Sequence, residues 1–484
     1  MASTEPRPVA NFVAGEWSVP AAAGWLTLPS PSDGRPIGRV PLSPAAEVDR
    51  AVVAAMTALP SWRNTPVTDR VRPLQRFREA LLLAADELAE LVVKENGKTR
   101  DEALGSIRRG VESVDFACSA PTLLHGGTLQ NVAPGIDAEM FREPVGVVAG
   151  ITPFNFPVMI PLWMAPLAIA CGNTFLLKPS ERVPLSANRI AEMLADSGVP
   201  PGVLNVVHGA RETVETLLRH PGVDAVAFVG SAPVARQVYA VAASHGKRVL
   251  ALAGAKNHLV VLPDADLDRS VDAIVSSAFG QAGERCLAGS VVVAVGSVGD
   301  RLVERLAERV RTLPVGPGGE ARTRVGPVIR ADHRDRVDAF IARGVEEGAV
   351  VAARGEAPRS ADGFYVAPVL FDAVRPEMTI AQEEIFGPVL SVIRVGSLEE
   401  AIAVVNRSRY GNAASVFTQN GRAAREFRER VDAGMLGVNI GVPAPPAHFP
   451  FVGWKGSVNG PLAATGGQAV EFYTRTKVVV SRWS

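Results

Sequence analysis

Apolar residues recur at helical spacing through the N-terminal part of the chain. The stripes cover residues 44–59 and 68–96, and a further helix is expected over 100–120. Gly97 follows the second stripe, where a glycine commonly ends a helix. Residues 1–60 begin with Pro- and Gly-rich sequence that is typical of short strands joined by tight turns. The pattern therefore predicts a largely helical region behind a few short strands.

From Glu143 onward, short apolar runs alternate with stretches of helical spacing, which is typical of a parallel, doubly wound α/β sheet. The predicted strands are 145–151, 174–178, 203–207, 225–229 and 249–252, and the predicted helices are 156–170, 185–197, 213–219 and 233–243. A second α/β unit is expected after Gly254, with a helix over 270–279, a strand over 290–295 and a helix over 299–313. The predicted fold class is α/β.

The C-terminal residues 469–483 (AVEFYTRTKVVVSRW) are rich in β-branched and aromatic side chains. They predict a terminal strand, and such a strand needs a partner edge, which another subunit could supply.

One uncharged stretch raises the question of a membrane span. Residues 144–177 contain no Asp, Glu, Lys or Arg, and apolar stretches longer than about 18 residues are transmembrane candidates. Internal prolines and the Gly172-Asn173 pair divide this stretch into short pieces, so we expect a strand, a loop, a buried helix and a strand. The N-terminus lacks a basic region followed by an apolar one, so no secretory signal is expected.

Composition narrows the possible partners. The 484 residues include 50 Lys and Arg against 50 Asp and Glu, and this balance gives no support for nucleic acid or a membrane surface as a partner. Cys118, Cys171 and Cys286 lie far apart without CxxC spacing, so neither a disulfide framework nor a zinc site is predicted. The cysteine usage fits a reducing cytoplasm.

Residues 280–287 (GQAGERCL) present Cys286 from a turn of small residues, directly after Arg285. A thiolate is a strong nucleophile, and a neighbouring cation lowers the thiol pKa below its free value of about 8.5. A buried structural cysteine is the alternative, and it is the commoner case for a lone cysteine.

Two strand ends carry residues that suit a nucleotide. Residues 227–231 (AFVGS) end a strand and open a helix, so that backbone N–H groups at Gly230 and Ser231 could meet a phosphate. A glycine at a strand-to-helix turn is more often only a turn, so this motif alone is a weak signal. Lys178 and Glu181 follow another strand and could hold ribose hydroxyls, or they could form a surface ion pair. No G-x-G-x-x-G sequence follows a predicted strand, so an ordinary Rossmann site is not indicated.

Asn155 lies among apolar and proline residues in TPFNFP (152–157). A side-chain amide in such a rigid segment suits an oxyanion donor, and a satisfied buried asparagine is the alternative. Arg109 lies on the predicted helix 100–120, where its residue type alone indicates a solvated face.

Together with residues 383–388 (EEIFGP), these motifs resemble the aldehyde dehydrogenase superfamily, in the expected order and over nearly the whole chain. The resemblance favours the nucleophile interpretation of Cys286 and implies a homo-oligomer, dimer or tetramer. It implies two doubly wound α/β domains and a β-hairpin: a nicotinamide-nucleotide domain (1–124 and 143–253, with a return segment at about 439–467), a catalytic domain (254–438), and an oligomerisation segment (125–142 and 468–484).

Site roles follow from the same resemblance. It makes Cys286 the nucleophile and Asn155 an oxyanion donor beside the Cys286 backbone N–H. It also implies contacts along the cofactor. Lys178 and Glu181 are expected at the adenosine ribose, and Gly230 and Ser231 at the pyrophosphate. Glu384 and Phe386 are expected at the nicotinamide ribose and ring, and Phe154 where the backbone passes the cofactor. A carboxylate at the ribose 2′-hydroxyl argues for NAD over NADP.

Residues 250–258 (LALAGAKNH) differ from the hydrolytic members of the superfamily. Those members carry a glutamate just before paired glycines, and it activates water against the thioester. Aligning Gly254-Ala255 with these glycines places Leu252 at the glutamate position, and a shift of one residue places Ala251 there. Without this general base the acyl-enzyme should hydrolyse slowly and require another nucleophile.

The GAKNH segment, with GERC and TPFNFP, resembles the CoA-acylating methylmalonate-semialdehyde dehydrogenase branch. Members of this branch convert malonate or methylmalonate semialdehyde to acetyl-CoA or propionyl-CoA with loss of CO2. The resemblance implies coenzyme A as cosubstrate, and Arg109 with Arg285 as the pair that binds the substrate carboxylate, for which guanidinium groups are suited. Residues 458–467 (VNGPLAATGG) depart from the branch, which leaves a different aldehyde as an alternative.

The sequence therefore predicts an NAD-dependent, CoA-acylating aldehyde dehydrogenase with a small-molecule aldehyde substrate. Two alternatives stay open: a hydrolytic aldehyde dehydrogenase that forms a free acid, and a non-catalytic protein that retains the fold.

Overall fold

The computed structural model describes residues 7–358 and 363–483. The N-terminal part contains β1 (Asn11–Val13), β2 (Glu16–Ser18), β3 (Trp25–Pro29), β4 (Pro36–Pro41), α1 (Ala45–Asn64), α2 (Val67–Leu83), α3 (Ala85–Asn96), α4 (Arg100–Cys118), α5 (Ala120–Leu123), β5 (Gly127–Ala133) and β6 (Ile136–Pro144). There follow β7 (Val147–Ile151), α6 (Met159–Ala170), β8 (Thr174–Lys178), α7 (Pro184–Asp196), β9 (Leu204–Val206), α8 (Arg211–Arg219), β10 (Ala225–Val229), α9 (Ala232–Ser244) and β11 (Arg248–Leu252).

The second half contains β12 (Asn257–Val261), α10 (Leu267–Phe279), β13 (Gly289–Val295), α11 (Gly299–Thr312), α12 (Ala331–Glu346), β14 (Val350–Arg354), β15 (Val369–Asp372), α13 (Thr379–Gln382), β16 (Val389–Val395), α14 (Leu398–Arg407), β17 (Tyr410–Gly411), β18 (Ala413–Phe417), α15 (Gly421–Arg430) and β19 (Met435–Val438). The chain ends with β20 (Trp454–Lys455), β21 (Val458–Asn459), α16 (Gly466–Tyr473) and β22 (Thr474–Arg482).

The first large sheet has the strand order β2-β1-β9-β8-β7-β10-β11-β21. Its five central strands are parallel, and β1 and β21 pair antiparallel at the two sides. Because successive side chains of a strand point to opposite faces, Val148 of β7 packs into the core that contains α2, α4 and α6. Val147 and Ala149 pack into the core that contains α1 and α9. Helices therefore cover both faces, as predicted for a doubly wound sheet.

The second large sheet has the order β14-β15-β16-β13-β12-β18-β19, and all of its pairs are parallel except β14 with β15. The carboxyl ends of β7, β8, β10 and β11 in the first sheet lie in register with one another. The amino ends of β12, β13 and β18 in the second sheet are likewise adjacent. Apart from Arg109, which lies on α4, the predicted site residues follow or precede strands at these two edges.

The uncharged residues 144–177 fold as predicted into the buried strand β7, the buried helix α6 and the buried strand β8. Within residues 7–358 and 363–483, no helix is long and apolar enough to cross a membrane.

A third sheet has the order β22-β6-β5, and β22 pairs antiparallel with β6 along its whole length. The β-hairpin implied by the resemblance is present as β5 and β6, and the partner edge that the C-terminal strand needs is supplied by β6 of the same chain. The prediction of one strand over 469–483 is wrong, because α16 extends to Tyr473 before β22 begins. Ala469, Val470, Phe472 and Tyr473 are buried, and their spacing of one, three and four residues is that of a helix face.

Two predicted helices also differ from the structure. The stripe over 68–96 is divided at Ala84 into α2 and α3, a break that periodicity cannot detect because apolar residues continue on both sides. The helix predicted over 156–170 begins only at Met159. The preceding turn is not part of that helix because the Asn155 carbonyl accepts hydrogen bonds from side chains of the candidate site.

Asn173 provides a test of this packing. Its side chain accepts from Gly146 N–H at 2.9 Å and donates to Ala168 O at 2.9 Å and Tyr473 O at 3.0 Å, all within the core. Asn173→Ala leaves the Gly146 N–H without its partner and removes one of the two donors to each carbonyl, at a cost of roughly 2 kcal/mol. We expect calorimetry to show a thermal midpoint lowered by a few degrees, whereas the exposed Gln419→Ala leaves it unchanged. Equal midpoints for both variants would contradict this account of the packing.

Candidate active site

Cys286 follows a 3-10 turn, Gly280–Gly283, at the end of α10. Gln281 and Ala282 adopt φ values of +53° and +52°, a region that non-glycine residues seldom occupy and that costs about 1–3 kcal/mol each. Gly283 is required at its position, since a Cβ there would lie 2.1 Å from Gly387 O. The surrounding structure therefore holds the turn in a strained conformation.

The backbone of Cys286 is fixed by two side-chain amides. Asn257 Nδ2 and Asn412 Nδ2 each donate to Cys286 O at 2.9 Å. Asn257 also donates to Ala288 O at 2.9 Å and accepts from Ala413 N–H at 3.0 Å. The amide of Asn257 thus ties the cysteine loop to β12 and β18.

The Cys286 thiol is not activated in the way the sequence indicated. Burial raises the pKa of Cys286 to about 12, and the negative charge of Glu384 adds to this rise. Hydrogen bonds from the N–H groups of Cys286 and Leu287 lower the pKa, as does the positive charge of Arg285, but these effects are smaller than that of burial. Arg285 lowers this pKa, as the sequence indicated, but burial outweighs its effect, so the pKa does not fall below the free value. Burial dominates, and the Arg285 guanidinium pairs with Glu102 instead.

Asn155 lies against the cysteine loop. Its Nδ2 donates to Glu284 O at 3.0 Å, and the second hydrogen of the amide remains available as a donor. The Asn155 carbonyl accepts from Lys98 Nζ at 2.7 Å and from Gln281 Nε2 at 2.5 Å. Lys98 is only 1% exposed, so a buried lysine amino group helps to fix the residue whose amide the resemblance assigns to the oxyanion.

Phe154 and Phe386 form an aromatic wall beside this loop. Their ring centroids are 5.9 Å apart in an edge-to-face arrangement. Phe386 has φ +60°, and His333 Nε2 lies 2.7 Å from its carbonyl oxygen. Glu384 is directed at the turn after β11, where its carboxylate accepts from Ala255 N–H at 2.9 Å.

Lys178 and Glu181 lie at the carboxyl end of β8. Lys178 Nζ is 3.1 Å from Glu181 Oε2, and the Lys178 side chain is 5% exposed, so this is not a surface ion pair. Burial raises the pKa of Glu181, but the charges of Lys178 and Arg182 and local hydrogen bonds outweigh it, and the pKa is lowered overall. Glu181 is therefore an ionised acceptor.

Gly230 and Ser231 connect β10 to α9, as predicted. Ser231 is the N-cap residue, and its side chain makes no hydrogen bond to the helix. Gly230 N–H donates to Leu252 O at 3.1 Å, and a Cβ at Gly230 would lie 2.5 Å from the Phe228 ring. The first N–H groups of this thirteen-residue helix and the Ser231 hydroxyl can therefore receive a phosphate.

Arg109 and Arg285 are each paired with a carboxylate of α4. Arg109 Nη1 lies 2.7 Å from Glu112 Oε2, and its Nη2 donates to Pro445 O. Arg285 Nη2 lies 3.0 Å from Glu102 Oε1.

Leu252 and Lys256 flank the turn to which Glu384 binds. Leu252 is 4% exposed and belongs to the core of the first sheet, so an aliphatic side chain occupies this position. Lys256 is 3% exposed, and its Nζ has no hydrogen-bond partner within the described part of the chain. Burial lowers the pKa of Lys256 to about 7 against the opposing charges of Glu384 and Glu383.

Several residues of this site were not singled out from the sequence. They are Lys98, Glu102, Gln281 and Asn257, which act on the predicted residues through hydrogen bonds. Gln281 and Asn257 lie within quoted motifs, whereas Lys98 and Glu102 are charged residues near a helix start, where a solvated position is the ordinary expectation.

The raised pKa of Cys286 predicts slow alkylation. We expect the cofactor-free protein at about pH 7.5 to react with iodoacetamide more slowly than a small thiol of pKa about 8.5. Burial raises the pKa values of Cys118 and Cys171 to about 11 and 12 as well, so no cysteine should react quickly. Intact mass measured over time checks this, with Cys286→Ser identifying the site. A rapid single modification that is lost in this variant would contradict it.

The chain matches the model of the aldehyde dehydrogenase family over residues 19–479. A malonate-semialdehyde dehydrogenase of Geobacillus kaustophilus is 52% identical over 482 residues, which cover 99% of this chain and 100% of that protein. One from Halalkalibacterium halodurans is 52% identical over 474 residues, which cover 98% of each chain.

Solved structures agree with this match. A methylmalonate-semialdehyde dehydrogenase from Oceanimonas doudoroffii has a TM-score of 0.97 and 45% identity, covering 99% of both chains. A chain from Sinorhizobium meliloti 1021, solved in complex with NAD, has a TM-score of 0.98 and 41% identity, covering 100% of this chain and 99% of that one. With the order of its motifs and its two doubly wound sheets, the chain belongs to the aldehyde dehydrogenase family.

Proposed function

We propose that this chain oxidises malonate or methylmalonate semialdehyde with NAD and transfers the acyl group to coenzyme A, giving acetyl-CoA or propionyl-CoA and CO2. The observation that carries the acylating part is the aliphatic Leu252 at the end of β11, in a site that contains Cys286 and Asn155. The names of the relatives at 52% identity support the substrate.

The chemistry begins when the Cys286 thiol gives up its proton to solvent and the resulting thiolate adds to the aldehyde carbon. Asn155 Nδ2 and the Cys286 N–H donate to the resulting oxyanion. When bound, NAD supplies the acceptor for the hydride that leaves this carbon, and a thioester on Cys286 results. The β-carboxylate then leaves as CO2, its bonding electrons pass to the α-carbon, and a proton takes its place. Transfer of the acyl group to the thiol of coenzyme A frees Cys286.

The cofactor is proposed to lie along the carboxyl edge of the first sheet. Glu181 and Lys178 suit the adenosine ribose, because an ionised carboxylate and an ammonium can accept from and donate to its hydroxyls. Ser231 and the open N-terminus of α9 suit the pyrophosphate. The nicotinamide end is proposed to lie at the aromatic wall of Phe154 and Phe386, with Glu384 at its ribose.

Different segments of the chain are proposed to have different roles. Residues 1–124 and 143–253, with a return segment at about 439–467, bind the nucleotide, and residues 254–438 carry the nucleophile. Residues 125–142 and 468–484 are proposed to join subunits into a dimer or tetramer in the cytoplasm. The exposed apolar side chains of β22, Val478 and Val480, support this role, since such side chains mark interaction surfaces.

Dependence on coenzyme A tests the reaction class. With malonate semialdehyde and NAD, we expect one fast turnover per active site and then slow NADH formation. The slow phase is hydrolysis of the thioester, because no carboxylate at the Leu252 position activates the attacking water. Coenzyme A should restore steady turnover, and mass spectrometry should identify acetyl-CoA. Equal steady-state rates with and without coenzyme A would favour the hydrolytic alternative, and no NADH burst with any aldehyde would favour a non-catalytic protein.

Substitution of Arg109 and Arg285 tests whether these two side chains bind the carboxylate of the substrate. Removing one charge-assisted contact to the substrate carboxylate costs about 1.5–3 kcal/mol. Arg109→Leu and Arg285→Leu should therefore each raise KM for malonate semialdehyde by about tenfold to a hundredfold. Steady-state kinetics with propanal, which has no carboxylate, provides the control, and its kcat/KM should stay within about twofold. An equal loss for both aldehydes would remove the carboxylate contact from the proposal.

A further inference from the structure

The Arg285 guanidinium is held in one place by three neighbours. Its Nη2 lies 3.0 Å from Glu102 Oε1 and its Nη1 lies 3.3 Å from Ser276 O. It packs directly on Gly280, where an added Cβ would meet guanidinium atoms at 2.5–2.7 Å. The Arg285 and Glu102 side chains are only 19% and 15% exposed. The neighbouring groups fix both side chains, whereas the two side chains of a surface ion pair remain mobile.

The Glu102 carboxylate is itself fixed from the other side. It lies in the first turn of α4, where its Oε2 accepts from Thr99 N–H at 3.0 Å and completes a capping box. Its Oε1 also accepts from Gln281 N–H at 2.6 Å. Two backbone donors and the positive end of the α4 dipole thus share its negative charge. The carboxylate therefore offsets the field of the Arg285 charge less completely than it would in an isolated ion pair.

We propose that Glu102 is the positioning residue that gives this enzyme its preference for aldehydes carrying a carboxylate, because it holds the Arg285 guanidinium ready for that group. The proposal rests on the proposed role of Arg285 in binding the substrate carboxylate. A guanidinium has five N–H donors, and the two contacts made to Glu102 and Ser276 leave donors for a ligand.

Holding the Arg285 side chain in place before the substrate binds reduces the entropy cost of binding the substrate carboxylate. A free arginine side chain loses rotamer entropy on ordering, up to about 2 kcal/mol, and a residue already held by its neighbours has lost it before the substrate arrives. Arg109 lies seven residues after Glu102 on α4, and this spacing brings both to the same face of the helix, about 10 Å apart along the axis. One helix thus places Arg109 directly and Arg285 through Glu102.

Glu102→Gln is the first variant to test. Glutamine is tolerated at this position of a capping box, but the charge that holds Arg285 is lost. We expect KM for malonate semialdehyde to rise about tenfold, which corresponds to about 1.4 kcal/mol. We expect kcat with this substrate and both constants with propanal to change little. Thr99→Ala is the matched control, because it removes the hydroxyl of the same capping box without touching Arg285, and it should leave the ratio of the two KM values unchanged.

A double-mutant cycle separates this proposal from the proposed function. If Glu102 acts through Arg285, Glu102→Gln should have no further effect on the KM ratio in the Arg285→Leu background. A lower KM for malonate semialdehyde in Glu102→Gln would mean that Glu102 competes with the substrate, and additive effects would mean that it acts elsewhere. Either result overturns the proposal. If Arg285→Leu itself leaves the KM ratio unchanged, the proposed carboxylate site fails first.

Discussion

The side-chain amide of Asn257 is the contact on which the site depends. The nucleophile loop lies where the carboxyl edge of one parallel sheet meets the amino edge of the other, and neither sheet's own ladder continues into that loop. Asn257 uses both hydrogens and its oxygen there, on Cys286 O, Ala288 O and Ala413 N–H. Because buried amides are costly when unpaired, this geometry fixes the register of the cysteine relative to both neighbouring strands.

A second constraint is the low polarity around the thiol. Burial lowers the pKa of Lys98 to about 7 and raises that of Glu284 to about 8, as it raises that of Cys286. Charged forms are therefore penalised throughout this region. Neutral amide donors such as Asn155 do not incur that penalty, and hydrogen bonds are stronger where water is excluded. The same environment that keeps the resting thiol protonated makes the proposed oxyanion donors more effective.

Much of the fold was predictable because strand and helix periodicities are local. The strands at 174–178 and 225–229 were predicted to the residue, and motif order indicated the family. The contacts of Arg285 were not predictable. Its effect on Cys286 was judged from adjacency in sequence, whereas its guanidinium lies against Glu102, 183 positions earlier in the chain. Contacts at that separation leave no trace in periodicity, and roles such as those of Lys98 emerge only from the folded chain.

The proposed effect of the aliphatic Leu252 depends on the difference in acidity between the two possible acyl acceptors, the thiol of coenzyme A and water. A thiol of pKa about 8.5 is ionised to a few per cent at neutral pH, whereas water, with a pKa of about 15.7, is not ionised appreciably without a base. Omitting a carboxylate at this position therefore slows attack by water far more than attack by a thiol. In the proposed function, an apolar side chain at this position is sufficient to favour the thiol as acceptor. Because Leu252 packs into the core of the first sheet, the same residue also stabilises the strand that ends at the site.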